Sequence, residues 1–411
     1  MTGGASTPNS FSRWLLARLS RETSSGRFIP EMDGVRFVAI AMVVLFHLNG
    51  YLTAKAVSPQ YAFTAHSDWL AQVALVGFRG VELFFVISGF ILGLPFAAHY
   101  IAGAPQVSLS KYYLRRVTRL EPPYFVTIFV LLLLAIAIQR KAVAALLPHL
   151  IASLCYMHNL IYAKPSTALG VAWSLEIEVQ FYLLVPVLTL LFAVKRRWLR
   201  RCLLLAAMTG SLAAQTLYLP DHPRLALSIL AYLQYFLAGF LLADIFLVEW
   251  EQSPRLSMRW DFAALAAWPV MFAVLRSATL SHWIFPYLLL LLYCAAFRGT
   301  WTNRLFSHPW ITAIGGMCYS IYLIHYEVIS AVARFTKPVS EGAPYWIHLL
   351  VQFVMVGSAV VFICGLYFVL LEKPCMRRDW PRALWTALSK RIPHKLVGET
   401  YAASDLRASL R

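Results

Sequence analysis

The chain has 411 residues, of which 60% are hydrophobic and only 13% charged, and its mean hydropathy is +0.64. A soluble domain uses about 25% charged residues to cover its surface, so an ordinary soluble globule is excluded. A net charge of +17 would suggest nucleic acid on a soluble protein; on a chain this apolar it reads as basic loops that orient helices in a bilayer, so membrane lipids and not nucleic acid are the expected partners.

In lipid the backbone must satisfy its own hydrogen bonds, and about 20 apolar residues cross the hydrocarbon core as a helix. The expected fold is therefore all-α, a polytopic bundle of about ten spans with both termini cytoplasmic. Residues 1–30 form a polar, basic N-terminal segment. The first span, 34–53, is too long for a signal peptide and carries Arg36 and His47, which a signal core tolerates poorly. These two lie 11 residues apart, about 16 Å of rise and close to three turns, so they share one helix face. Arg36 alone is compatible with snorkelling to the headgroups, but His47 is too deep for that. The second span, 78–98, places Glu82 near its outer end within Gly80-Val-Glu-Leu-Phe-Phe-Val-Ile-Ser-Gly-Phe90.

A basic cytoplasmic loop follows, with Arg115, Arg116 and Arg119. On a helix Arg116 and Arg119, three apart, face together, and guanidinium forks suit phosphate oxygens; a positive-inside anchor is the alternative reading. After a third span at 123–138 comes a shorter apolar stretch, 144–160, with Pro148, His149 and Asn159, which suits a re-entrant or interfacial segment. The fourth span, 173–194, begins Trp173-Ser-Leu-Glu-Ile-Glu-Val-Gln-Phe-Tyr182 and holds Ser174, Glu178 and Tyr182. Further spans are expected at 199–218, 225–248, 261–276, 283–297, 310–331 and 346–371. The ninth contains Tyr319, Tyr322 and His325. A basic tail, 377–411, closes the chain. The loops support the layout: 26 of the 36 Lys and Arg fall in alternate segments and 7 in the intervening ones.

Ionisable groups inside a bilayer are costly and usually functional. At the depths this layout assigns, His47, Glu82, Glu178, Tyr182 and His325 are expected to meet in one polar cavity in the outer half of the membrane. A histidine with a carboxylate partner is the equipment of general base catalysis on a hydroxyl; buried helix–helix hydrogen bonds or a proton relay are the competing readings. The six cysteines are scattered without metal-ligand spacing, so no disulfide framework and no metal site are expected.

Together these segments resemble the membrane-bound acyltransferase-3 family. The resemblance runs from about residue 31 to 376 and rests on six motifs in order: Arg36-x10-His47, the Gly80–Phe90 stretch with its acid at 82, Arg116-x-x-Arg119, Trp173-Ser-Leu-x-x-Glu-x-Gln-Phe-Tyr182, Tyr319-Ser-x-Tyr-Leu-x-His325 and Glu372-Lys-Pro374. Each is weak alone; six in order are specific. The resemblance implies an O-acyltransferase of the bacterial cytoplasmic membrane, moving an acyl group, commonly acetyl, from acyl-CoA as donor substrate to a carbohydrate or lipid-linked acceptor, with no tightly bound cofactor. It implies that His47 is the base or transient acyl carrier; the expected depths add Glu82 or Glu178 as the group that orients it. The resemblance implies donor binding or structural positioning for Arg36 and the Arg116/Arg119 pair; Arg115 is added as a donor-binding candidate from the arginine cluster, and Ser174, Tyr182, Tyr319, Tyr322 and His325 are expected to line the substrate cavity. Some relatives carry a fused extracytoplasmic esterase-like domain; with none expected here, the chain acts alone or with a separate extracytoplasmic partner. A proton-coupled transporter or flippase of a lipid-linked or small substrate is the alternative from another class, and a non-catalytic subunit of a polysaccharide-assembly complex a weaker third.

Overall fold

The computed structural model describes residues 10–22, 28–56, 58–138, 140–166, 169–251, 253–275, 278–377 and 380. Most of the basic tail and part of the N-terminal segment lie outside the described residues. Among those described there are helices and no strands. The principal helices are α1 (Ser10–Leu19), α2 (Pro30–Ala54), α3 (Gly80–Ala102), α4 (Leu109–Ala137), α5 (Val143–Leu154), α6 (Trp173–Leu188), α7 (Arg197–Tyr218), α8 (Leu233–Val248), α9 (Met258–Leu275), α10 (Ala278–Arg298), α11 (Cys318–Thr336) and α12 (Tyr345–Tyr367).

Each of the ten predicted segments carries a helix, yet six helical stretches among the described residues are long and apolar enough to cross a membrane: 30–54, 69–102, 109–137, 170–193, 279–298 and 345–375. The others fall short in length or hydropathy; α8 has 16 residues and α5 only 12.

Local chemistry explains the elements that matter for the site. α2 starts where Ile29, extended before a proline, gives way to Pro30 at the first helical position, and Glu31 and Asp33 fill the first turn, where the helix end favours negative charge. α4 starts 14 residues before its predicted span and runs through Pro122 and Pro123, so the arginine motif is helical rather than a loop. Proline lacks an N–H and leaves the carbonyl four residues back without its helical donor; the Thr118 carbonyl accepts instead from the Trp380 indole at 3.0 Å. The predicted ninth span is broken: a short helix, Pro309–Gly316, ends at Met317, and α11 begins afresh at Cys318. A π-turn over Phe368–Glu372 follows α12 and swings Glu372 inward.

α2 is the central helix, packed against α3, α11 and α12. α3 and α8 form the closest pair, because glycines let the backbones touch. A Cβ on Gly89 would overlap the Phe236 carbonyl oxygen, and one on Gly239 would overlap that of Val86. Small residues at such crossings are the usual device of membrane helices, which gain little from hydrophobicity among themselves.

Candidate functional site

A cavity of about 130 Å³ opens between α2, α3, α4, α6 and α11. Four guanidiniums line it: Arg36 from α2, Arg116 and Arg119 from α4, and Arg21 from the segment joining α1 to α2. Among the described residues Asp33, with no exposed surface, is the only carboxylate ion-paired to any of them, accepting from Arg21 Nε at 2.8 Å and from Arg36 Nη1. Arg116 and Arg119 form no ion pair among the described residues. Arg116 lies over the rings of Tyr112 and Tyr182, at 5.7 and 5.8 Å, and its buried Nε lacks a hydrogen-bond partner there. Burial first, and the charge of Arg36 second, push the Arg21 guanidinium down to about 10 against the pull of Asp33. Asp33 is shared by Arg21 and Arg36, and Glu178 and Glu372 share the lining; Arg116 and Arg119, with no ion pair among the described residues, are the guanidiniums left to meet an anion such as phosphate or carboxylate.

The rest of the lining is mixed. Tyr182 and Glu178 come from α6, Ser88 from α3, and Ser174 from the start of α6. Ser88 donates to Glu178 at 2.5 Å. Ser174 and Tyr322 share a hydrogen bond of 2.8 Å, and the Tyr322 hydroxyl also donates to the Val171 carbonyl. Tyr319 donates to the Leu120 carbonyl at 2.8 Å, tying α11 to α4. Glu372, fully buried, accepts from the N–H and hydroxyl of Ser320 in the first turn of α11, and its second oxygen has no partner among the described residues.

The sequence expectation of one cavity holding His47 with its carboxylates is corrected here. Arg36, Arg116, Arg119, Ser174, Glu178, Tyr182, Tyr319 and Tyr322 do line one cavity. His47 and His325 stand outside its lining, paired with each other: His47 Nδ1 lies 3.0 Å from His325 Nε2 and 3.1 Å from the Val43 carbonyl. Among the described residues no carboxylate bonds to His47. Glu82 accepts instead from Arg79, one turn earlier, at 2.7 Å, and Arg79 also donates to Ser281. The reason is position along the helix: Glu82 sits six residues, about 9 Å of rise, before Ser88, in the first turn of α3. Arg115 also departs from expectation. It is exposed, with Nε bonded to the Lys111 carbonyl, because the face shared by Arg116 and Arg119 turns it away from the cavity.

The histidine pair is nonetheless adjacent to the cavity. Tyr322, which lines it, lies one turn before His325, with ring centroids 6.4 Å apart. His325 has no exposed surface, and His47, partly exposed, is flanked by the rings of Phe46 at 5.1 Å and Tyr326 at 5.5 Å. Sequence reasoning assigned no role to Arg21, Ser88 or Glu372. Arg21 lies in a polar segment with no periodicity to mark it, and Ser88 is an ordinary helix residue; Glu372 carried a signal in its Glu-Lys-Pro motif.

Residues 29–369 match the acyltransferase-3 model, described as "Acyltransferase domain". Among curated proteins, the "Putative O-acetyltransferase SACOL0978" of Staphylococcus aureus (strain COL) is 25% identical over 386 residues, covering 87% of this chain and 59% of the relative. The "O-acetyltransferase OatA" of Staphylococcus aureus (strain NCTC 8325 / PS 47) is 24% identical over 351 residues, covering 79% and 54%. The chain thus spans less than two thirds of the length of these relatives. No solved structure matches it significantly.

Proposed function

The chain belongs to the acyltransferase-3 family, and we propose that it is a membrane-embedded O-acyltransferase that moves an acyl group, acetyl in the simplest case, from acyl-CoA to a hydroxyl of a carbohydrate or other cell-envelope acceptor. The names of its relatives support O-acetyl transfer. The observation that carries the reading is a cavity lined by four guanidiniums and by Tyr322, whose ring lies 6.4 Å from that of His325, the buried member of the histidine pair. The arginines supply sites for the phosphates of the donor, which has no tight binding between turnovers. The acyl arm then runs along α2 from Arg36 towards His47, about 16 Å of rise. His47 takes the proton of the acceptor hydroxyl as its oxygen attacks the thioester carbonyl; the C–S bond breaks and the leaving sulfur departs as CoA thiol. The same ring attacking the carbonyl first, as a transient acyl carrier, gives the same products in two steps. We place the protein in a bacterial inner membrane, with ten spans and both termini cytoplasmic, and with an extracytoplasmic partner as an option for acceptor delivery.

The test uses the full chain in lipid nanodiscs with radiolabelled acetyl-CoA and a membrane glycan fraction. Acceptor-dependent CoA thiol release and label transfer are expected, both lost in His47→Ala while the protein remains monodisperse. Substantial transfer by that variant would end the assignment of His47. A proton-coupled transporter, the reading in which the histidine pair relays protons, releases no thiol in this assay.

A further inference from the structure

We infer that His325 is a positioning residue that fixes His47 as the Nδ1–H tautomer and leaves His47 Nε2 as the bare nitrogen that meets the reacting group. This rests on the reading of His47 as base or acyl carrier. His325 Nδ1 lies 2.9 Å from two backbone carbonyls, those of Ile321 and Tyr322. A carbonyl oxygen can only accept, so that nitrogen carries the hydrogen. In the neutral ring the other nitrogen, Nε2, is then an acceptor. What stands against it, at 3.0 Å, is His47 Nδ1, so the hydrogen between the rings belongs to His47. The Val43 carbonyl, 3.1 Å from the same His47 nitrogen, demands the same assignment independently. The reversed tautomer of His325 would point one N–H at another.

Which nitrogen of a histidine reacts is set by the hydrogen bond the other makes, a task a carboxylate often performs. Here α11 performs it with backbone: its carbonyls orient His325, and His325 orients His47 across the helix interface. Phe46 and Tyr326 make edge contacts with the His47 ring, at interplanar angles of 71° and 81°, and restrict its rotation. The device needs no buried charge, which in a bilayer is the costly alternative. A second pair of the same wiring lies outside the cavity lining and serves as a built-in control. His158 Nδ1 sits 3.0 Å from the Lys164 carbonyl, and its Nε2 lies 2.9 Å from His149 Nδ1.

The experiment compares His325→Gln, His325→Asn and His325→Phe in nanodiscs, with acetyl-CoA as donor and a membrane glycan fraction as acceptor. The Gln amide oxygen reaches the place of Nε2 and accepts from His47; the Asn amide reaches only the place of Nδ1, and Phe offers neither. The Asn and Phe variants are expected to lose about 100-fold in kcat, the scale of a mispositioned base, with KM for acetyl-CoA within about twofold of the parent. Gln is expected to recover at least about tenfold over Asn. His158→Gln and His158→Asn are expected to behave alike. Equal Gln and Asn variants at position 325, or a loss expressed in KM alone, overturn the inference, since a packing role does not distinguish the two amides. A readout free of folding defects at position 325 is the 15N spectrum of histidine-labelled parent protein, with His47 assigned by the signal lost in His47→Gln. Protonated Nδ1 and bare Nε2 are expected, and the opposite pattern refutes the inference. If His47→Ala stays active, the reading of His47 fails; if it is dead while all three His325 variants match the parent, only the positioning role fails.

Discussion

Arg116 and Arg119 give the sharpest test of the anion cradle, because they line the cavity without an ion-paired carboxylate among the described residues. Consider Arg116→Gln with Arg119→Gln. In the proposed donor complex each guanidinium contributes at least one charge-assisted hydrogen bond to phosphate, about 1.5–3 kcal/mol apiece. Losing two costs about 3–6 kcal/mol, or roughly 10²–10⁴-fold in donor affinity at 1.4 kcal/mol per decade. The unliganded protein behaves in the opposite sense. Arg116 Nε is buried without a partner, and removing an uncompensated buried cation relieves a desolvation penalty. The melting temperature without ligand is therefore expected to hold or rise. Titration calorimetry with acetyl-CoA in detergent, together with thermal unfolding of the same samples, reads both quantities. A second pair of basic residues controls for general charge loss: Arg200 and Arg201 of α7 share the buried Asp244 of α8. Arg200→Gln is expected to destabilise the protein and leave donor affinity alone. Donor affinity within threefold of the parent in the Arg116/Arg119 double variant, or a melting point that falls with it, would refute the cradle.

Three further outcomes follow from the packing. Asp33→Asn removes the buried carboxylate that holds both Arg21 and Arg36, and leaving two cations uncompensated is expected to cost about 3–5 kcal/mol, seen as a lower melting temperature together with weaker acetyl-CoA binding. Glu82→Gln strips Arg79 of its anion while keeping the shape; a destabilisation of about 1–3 kcal/mol is expected by thermal unfolding, and none would show the pair to be idle. Gly239→Ala forces a methyl against the backbone of α3, an overpacking expected to cost about 1–3 kcal/mol; Gly210→Ala, where a Cβ meets nothing within 4 Å, is expected to be silent in the same assay.

The helices were legible because the bilayer leaves a chain few options and apolar runs announce themselves. The pairing of Arg116 with Arg119 was legible too, since spacing of three sets a helix face whatever surrounds it; the same rule turns Arg115 away, which a loop reading of 99–122 could not see. What sequence could not supply was depth to within a turn. His47 and Glu82 sit on different helices, and their levels depend on where each helix begins and how it tilts. α3 begins at Gly80, so Glu82 lies in its first turn beside Arg79, while Ser88 and Glu178 meet farther in. The break at Met317 was hidden as well, because Gly315-Gly316 inside an apolar run does not by itself stop a helix. That break places Cys318 and Tyr319 on the cavity wall. Arg21 joined the site through tertiary pairing with Asp33, which has no signature in local sequence.

On the proposed reading, the separation of cations from histidines is itself part of the chemistry. A base placed among four guanidiniums would be held in a field that favours its deprotonated state but also weakens it as a proton acceptor. Eleven residues of α2 keep His47 about 16 Å from Arg36, so the reacting carbonyl sits away from the phosphates that anchor it. Anchoring energy gained at one end of a long flexible donor can then position the other end without perturbing the base. Tyr322 stands at the boundary, hydrogen-bonded to Ser174 on the cavity side and one turn from His325 on the other. On that reading the donor arm runs from the arginines past Tyr322 towards His47.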